Sequence, residues 1–280
     1  MKYCDDLDQA ERFVRLVFPD LEGQPLDRTK QGNEYFTFMT KDEVIRIARN
    51  EGVGTNMHRE VALHAAVCAK DFSASIPQII HFEPENNAMR IQKLPGKPLS
   101  DLMDSLPAEE LKDVARQTGL FLAELHGFFP KEDDPTNAEM NSNKNVLLSR
   151  VEKMQTRTTD SDEIARLQRV RNYVAEYETL NDRQAMVHGD ISPSNIIYDP
   201  VTKTIGVIDF NNCHSSLCHR DFSVMGHLFP PSFVEDALES YTAKTQKPMS
   251  LDVVKAGADA LSLLHGFKDE GMTFKSRLGP

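Results

Sequence analysis

Cysteine is scarce. The 280 residues contain only Cys4, Cys68, Cys213 and Cys218, with no CxxC pair. A chain this long can bury a real core without staples, so these thiols are no disulfide framework. Cys213-His214 and Cys218-His219 stand close together, but Cys-His-x3-Cys-His lacks the usual ligand spacings of a zinc site. Positive charge is in deficit: 32 Lys+Arg against 43 Asp+Glu give −11. That excludes a broad nucleic-acid footprint, which needs clustered cations to displace counterions. Acidic groups lining a cleft would instead attract a cationic small molecule. No apolar run approaches the roughly 20 residues that span a bilayer. The N-terminus, MKYCDDLDQAERF, turns acidic at once and has no apolar h-region. The expectation is a cytoplasmic protein in a reduced setting, with no membrane and no nucleic-acid partner.

What is present divides at Pro95-Gly96-Lys97-Pro98, the clearest punctuation in the chain. Before it, helical spacing of Leu7, Ala10, Phe13, Val14 and Val17 predicts a helix over 5–18, ended by Pro19. QGNEYFTFM and EVIRIAR around Thr40-Lys41-Asp42 predict a hairpin. NEGVGTN reads as a loop, and MHREVALHAAVCAK as a helix with Val61, His64, Ala65 and Cys68 on one face. IPQIIHFE and AMRIQKL read as two more strands, joined by a turn at PENN. After the punctuation the pattern turns helical. Leu111, Val114, Ala115, Thr118, Leu122 and Leu125 mark the buried face of a long helix, and Ile164, Leu167, Val170, Val174 and Tyr177 define another helix. Residues 131–145 read as an exposed connection, including the acidic run Glu132-Asp133-Asp134, and Ser232 onward is helical in pattern. The expected fold is α+β, with a β-rich unit over 1–94 and a larger, mostly helical one over 95–280.

One segment carries chemistry: MVHGDISPSNIIYDPVTKTIGVIDF, residues 186–210. Two apolar β-type runs flank a DPVTK turn. Asp190 precedes the first run, Asn195 follows five residues later, and Asp209 ends the second run. A hairpin of these runs would bring Asn195 and Asp209 to one end of the sheet. Oxygen ligands of this kind suit Mg²⁺, which takes one or two from protein and the rest from water and phosphates. A separate aspartate could then accept a hydroxyl proton, the arrangement of the kinases.

His188-Gly189-Asp190-Ile-Ser-Pro-Ser-Asn195 followed by Val207-Ile208-Asp209-Phe210 resembles the aminoglycoside phosphotransferase family, which embraces choline/ethanolamine kinase-like enzymes. RIARNEGVGTNMHRE, IQKLPGKPL, FLAELHGF and Arg220-Asp221-Phe222 stand in that family's order, from about Gly32 to Met225. The resemblance implies a bilobal, protein-kinase-like fold and a small-molecule kinase. It implies that Asp190 is the catalytic base and that Asn195 and Asp209 are Mg²⁺ ligands. It also implies a nucleotide-phosphate turn at Gln31-Gly32-Asn33-Glu34 and a purine-binding hinge at Gln92, Lys93 and Leu94. Glu60 would hold the phosphate-binding cation, Arg46, which stands where protein kinases carry lysine and grips oxygens in a fork rather than as a point charge. His188 and Asp221 would brace the catalytic loop. His126, on an apolar helix face, reads as a packed, hydrogen-bonded core histidine. The implied reaction moves the γ-phosphoryl of ATP or GTP to a hydroxyl of a small acceptor, such as an aminoglycoside or a choline/ethanolamine-like amino alcohol. The alternative is a non-catalytic nucleotide- or ligand-binding protein on the same fold, which degraded metal ligands would mark; Asp190, Asn195 and Asp209 are all intact.

Overall fold

A computed structural model describes residues 3–28, 32–127, 137–176 and 184–265. The chain forms two compact units that interleave in sequence. The smaller takes Met1–Asp71, Ser75–Gly96 and Gly206–Asn211, and the larger takes Phe72–Ala74, Lys97–Ile205 and Asn212–Pro280. Gly206–Asn211 joins the smaller unit through main-chain pairing: the Val207 N–H donates to Ser75 O at 2.9 Å, and Ser75 bridges Gly206 in parallel.

The smaller unit opens with α1 (Leu7–Val17), which Asp6 caps by accepting from the Gln9 N–H. Its strands are β1 (Asp27–Arg28), β2 (Tyr35–Met39), β3 (Glu43–Ala48), β4 (Ile79–Glu83) and β5 (Ala88–Gln92), with α2 (Glu51–Cys68) between β3 and β4. They form one antiparallel sheet in the order β1-β2-β3-β5-β4. Alternation along β3 sends Ile45 and Ile47 to one face, where they join Phe13 and Val14 of α1 and Phe36 and Phe38 of β2. Ala48 falls on the other face, in a cluster with Tyr35, Met57 and Met89. Burying each of the isoleucine, valine, phenylalanine and methionine side chains contributes about 1.5–3 kcal/mol.

Helix α2 corrects the sequence reading. It begins at Glu51, taking in the expected loop NEGVGTN, because Asn50 caps it by accepting from the Val53 N–H at 3.1 Å. The two glycines that suggest a loop lie inside the helix. Gly54 serves a close approach there, since a Cβ would meet the Asn87 side chain at 2.7 Å. The buried face is Met57, Glu60, His64 and Val67, whereas Ala65 is exposed.

In the larger unit, β6 (Lys97–Pro98) pairs with β8 (Ile196–Asp199); β9 (Thr204–Val207), whose last two residues count with the smaller unit, completes the order β6-β8-β9. β7 (Gln184–Val187) pairs antiparallel with β10 (His214–Leu217). The helices are α3 (Ala108–Gly127), α4 (Asn137–Gln155), α5 (Ser161–Glu176), α6 (His219–Leu228), α7 (Pro231–Thr245) and α8 (Leu251–His265). Helix α3 buries Val114, Ala115, Thr118, Leu122 and Leu125, the face its periodicity predicts. It packs on α7 so closely at Gly119 that a Cβ there would meet Ala237 O at 2.1 Å. Leu147 and Val151 of α4, Leu167 and Val170 of α5, and Ala260 and Leu263 of α8 form a separate core. Helix α4 corrects the reading of 131–145 as a connection, because residues 137–145 are helical. The β-type run expected to reach Phe210 ends at Val207. Gln31, Glu132, Asp133, Asp134 and Tyr177 lie outside the described residues.

Candidate active site

In the smaller unit, Arg46 lies mid-strand on β3, opposite Thr37 and Met89. Its parity puts it on the sheet face of Ala48, and α2 presents Glu60 to the same face. Arg46 NH1 lies 3.3 Å from Glu60 Oε1 and 3.5 Å from Asp209 Oδ1. The Tyr35 hydroxyl donates to Glu60 Oε2 at 3.2 Å, and the guanidinium sits 5.4 Å from the Tyr35 ring centroid. Burial pushes Glu60 up to about 7, although Arg46 pulls the other way. Burial alone would lower the Arg46 pKa, but Asp209 and Glu60 hold it above its ordinary value. The arginine is therefore a fixed cation between two carboxylates.

Asp209 is unusual in two ways. Its φ is +68°, a left-handed conformation uncommon outside glycine. Its Oδ1 is buried with no hydrogen-bond partner, and the Arg46 approach at 3.5 Å is too long to supply a good one. Next to it, Phe210 is held edge-on by the His64 ring, centroids 5.6 Å apart, and His64 Nε2 lies 2.5 Å from Pro77 O. Two residues on, the Asn211 amide donates to Glu34 Oε2 at 2.6 Å, tying the turn before β2 to this segment.

Gly32 and Asn33 are exposed in that turn. Of Gln92, Lys93 and Leu94, the first two have their N–H groups committed: Gln92 N–H donates to Gln78 O and Lys93 N–H to Asp42 O. Leu94 explains Gly206: a Cβ there would meet Leu94 Cδ1 at 2.4 Å.

In the larger unit, the loop after β7 is fixed by one buried carboxylate. Asp221 of α6 accepts the His188 N–H on Oδ2 at 2.9 Å and the Gly189 N–H on Oδ1 at 2.8 Å. His126 of α3 lies 3.0 Å from the same Oδ2 through Nε2, and its Nδ1 is 3.1 Å from the Tyr241 hydroxyl of α7. Burial would raise the Asp221 pKa, but His126 and His188 together hold the carboxyl below its usual range. Gly189 has φ +80°, and a Cβ would meet Asn212 O at 2.3 Å, so glycine is required.

Asp190 follows that turn, half-buried. The Asn195 amide reaches back to it, donating to Asp190 O at 2.8 Å and Asp190 Oδ2 at 3.1 Å. With Nδ2 so committed, Oδ1 is the Asn195 atom left for a cation. The loop between them is tight: the Ser192 N–H donates to Asp190 O, the Asn195 N–H to Ser192 O, and the Ser100 N–H to Pro193 O, each at 2.9 Å.

Each unit thus brings its own sequence-nominated residues together: Arg46, Glu60 and Asp209 in one, Asp190, Asn195, His188 and Asp221 in the other. Sequence reasoning missed Tyr35 as the donor on Glu60 and Tyr241 as the partner of His126. The signal for Tyr35 was its parity on β2. Nothing in the sequence joins residues 126 and 241. Among the described residues no group of three or more His, Cys, Asp or Glu is placed to hold a metal alone. Mg²⁺ held partly by phosphates needs no such group, and the buried Asp209 Oδ1 without a hydrogen-bond partner is an oxygen of the kind that such a cation takes. No helix among the described residues is long and apolar enough to cross a membrane.

An antiparallel sheet with one inserted helix, a mostly helical second unit and these two carboxylate-bearing segments define a protein-kinase-like α+β fold. The chain belongs to the Phosphotransferase enzyme family, whose model matches residues 29–251. Solved structures with the same fold include the ADP-bound aminoglycoside phosphotransferase APH(2'')-Ib, at 18% identity and a TM-score of 0.68, covering 93% of this chain and 92% of that one. The streptomycin–ATP–APH(2'')-IIa ternary complex matches at 20% identity and a TM-score of 0.67, covering 96% and 94%. The macrolide 2'-phosphotransferase MphH from Brachybacterium faecium matches at 17% and 0.57, covering 94% and 93%. No curated protein gives a significant match.

Proposed function

We propose that this chain transfers the γ-phosphoryl group of ATP or GTP to a hydroxyl of a small molecule. The observation that carries the reading is Asp190, set on a loop pinned by Asp221 and gripped by the Asn195 amide. A carboxylate held this firmly can orient an acceptor hydroxyl and take its proton as the phosphoryl leaves. Asp209 and Asn195 are assigned as Mg²⁺ ligands, and the bound metal would neutralise developing phosphate charge. Arg46, steadied by Glu60, is assigned to phosphate oxygens, Gly32 and Asn33 to the turn over the phosphates, and the hinge at Gln92–Leu94 to the base. Little covalent work falls on the protein; positioning and electrostatics supply the rate. Structural relatives bound to ADP and to ATP with streptomycin support a nucleotide donor and a hydroxylated acceptor. Incubation with ATP or GTP, Mg²⁺ and an acceptor panel tests the reading, with nucleoside diphosphate release as the readout. Acceptor-stimulated release that Asp190→Asn abolishes is the expected result; release unaffected by that substitution would sink the assignment.

A further inference from the structure

Among the described residues the buried side-chain atoms without a hydrogen-bond partner are Asp209 Oδ1, Asn211 Oδ1, Arg220 Nε and Asp259 Oδ1. The last two lie on separate helices, α6 and α8. The first two are both oxygens, and they stand two residues apart. Asp209 heads a single helical turn, Phe210–Asn212, that carries Asn211. All of it belongs to the smaller unit except Asn212.

The Asn211 amide is oriented by its partner. Glu34 Oε2 lies 2.6 Å from its Nδ2, and an ionised carboxylate only accepts, so the N–H₂ faces Glu34 and the carbonyl oxygen points elsewhere. Glu34 is itself anchored, its main-chain oxygen taking the Arg49 N–H at 3.0 Å. Between the two oxygens Phe210 is buried and packed edge-on against His64. Rotating the turn to give either oxygen to solvent would expose that ring.

A buried acceptor left unpaired costs about 1–3 kcal/mol, and two in one turn are the mark of a group that the protein itself does not supply. One is a carboxylate oxygen and the other an amide oxygen, and neither can donate. That pair fits a hard divalent cation, which takes carboxylate and carbonyl oxygens together. We propose that Asn211 Oδ1 is a ligand of the divalent cation assigned to Asp209, a further protein oxygen beyond the two nominated from the sequence. The inference rests on the phosphotransferase reading for what the cation does, whereas the two oxygens are a property of this turn. The Asn211 Nδ2 meanwhile holds Glu34, so one side chain ties the turn before β2 to the metal.

Mn²⁺ is the probe, since it takes the same oxygen ligands as Mg²⁺ and is paramagnetic. It is added to the intact protein with saturating ADP. Electron paramagnetic resonance reads its affinity, and line broadening by water labelled with oxygen-17 counts the waters that it keeps. Asn211→Leu keeps the side chain's outline and removes the oxygen. It should weaken Mn²⁺ by about 10–100-fold, the worth of one contact to a charged group, and add one water to the bound ion. Asn211→Asp keeps an oxygen but sets two carboxylates against each other at Glu34. It should retain or raise the affinity with the water count unchanged. If Asn211 serves only to hold Glu34, both variants lose that tie and neither changes the count. Thermal melts check folding, and Asn211→Ala replaces a leucine variant that does not fold. No added water when the oxygen is removed would overturn the inference, whatever happens to the affinity. ADP titrated by calorimetry with excess Mg²⁺ separates the two readings. If ADP does not bind, the phosphotransferase reading falls, and the water count is taken with Mn²⁺ alone on the protein. A count that still rises in Asn211→Leu then sustains the inference, and no bound Mn²⁺ ends it. If ADP and Mn²⁺ bind and the count does not respond to Asn211, only the inference falls.

Discussion

Asp221 and His126 meet at 3.0 Å across α6 and α3, and the carboxylate that they share with the His188 and Gly189 N–H groups is buried. The asparagine variant tests this arrangement. Asp221→Asn keeps the shape but offers one oxygen to three donors and turns an N–H₂ toward one of them. Leaving a buried donor without its acceptor typically costs about 1–3 kcal/mol. The loss should appear in urea denaturation, and phosphoryl transfer should fall with it because the Asp190 loop is released.

The same pair sets a pH dependence at the acid end. A carboxyl held below its ordinary pKa contributes stability that is present above the unfolded-state value, 3.8, and lost as pH falls through the folded one. Glu60 acts in the opposite sense. Its folded pKa of about 7 exceeds the ordinary 4.5, so between those values the folded state holds a proton that the unfolded chain has released. Stability should therefore fall as pH rises through that window and level off above it, by at most about 3 kcal/mol from this group. Denaturation midpoints of the wild type and Glu60→Gln at pH 5 and pH 8 check this. The variant should lose less stability on going to pH 8, and equal losses would show that Glu60 ionises normally.

How much of this was legible in the sequence depends on the range of the interactions. Alternation and helical spacing are local, so β2, β3, α1 and the buried face of α3 could be read directly. The start of α2 could not, because glycine propensity pointed to a loop while the Asn50 cap and the close packing of Gly54 on Asn87 decided for helix. Asp190, Asn195 and Asp209 were legible through their spacing in one short segment. The Asp221–His126–Tyr241 chain joins three helices far apart in sequence, and spacing carries no trace of it.

The α3–α7 contact gives a fold-level test away from the chemistry. In Gly119→Ala the new methyl would press on Ala237 O and on Ser240 Oγ, 2.1 and 2.2 Å from an ideal Cβ. The first is main chain and cannot swing aside. Overpacking of this kind costs about 1–3 kcal/mol, against the modest gain in helix propensity from replacing glycine. The thermal midpoint should drop by several degrees, and an unchanged or raised midpoint would mean that the helices separate at little cost.

The sharpest test sets Asp190 against Asp209. Asp190→Asn keeps size and most hydrogen bonding, including the approach of the Asn195 amide to the main-chain oxygen, but removes the proton acceptor. With the true acceptor, kcat should fall by about 10²–10⁴, the usual worth of a positioned acid–base group, while nucleotide affinity changes little. Asp209→Asn should separate from it in two ways. Asparagine tolerates the left-handed backbone at φ +68°, so the fold should survive the change. The lost charge weakens the metal site, so the Mg²⁺ concentration needed for half-maximal rate should rise along with any loss of rate. Without nucleotide, Mg²⁺ should bind only weakly to the wild type, because a few protein oxygens leave the rest of its coordination to phosphates and water. Rates of both variants across a Mg²⁺ titration decide the matter. A shifted Mg²⁺ requirement in Asp190→Asn with none in Asp209→Asn would exchange the two roles, and near wild-type turnover in Asp190→Asn would remove the base altogether.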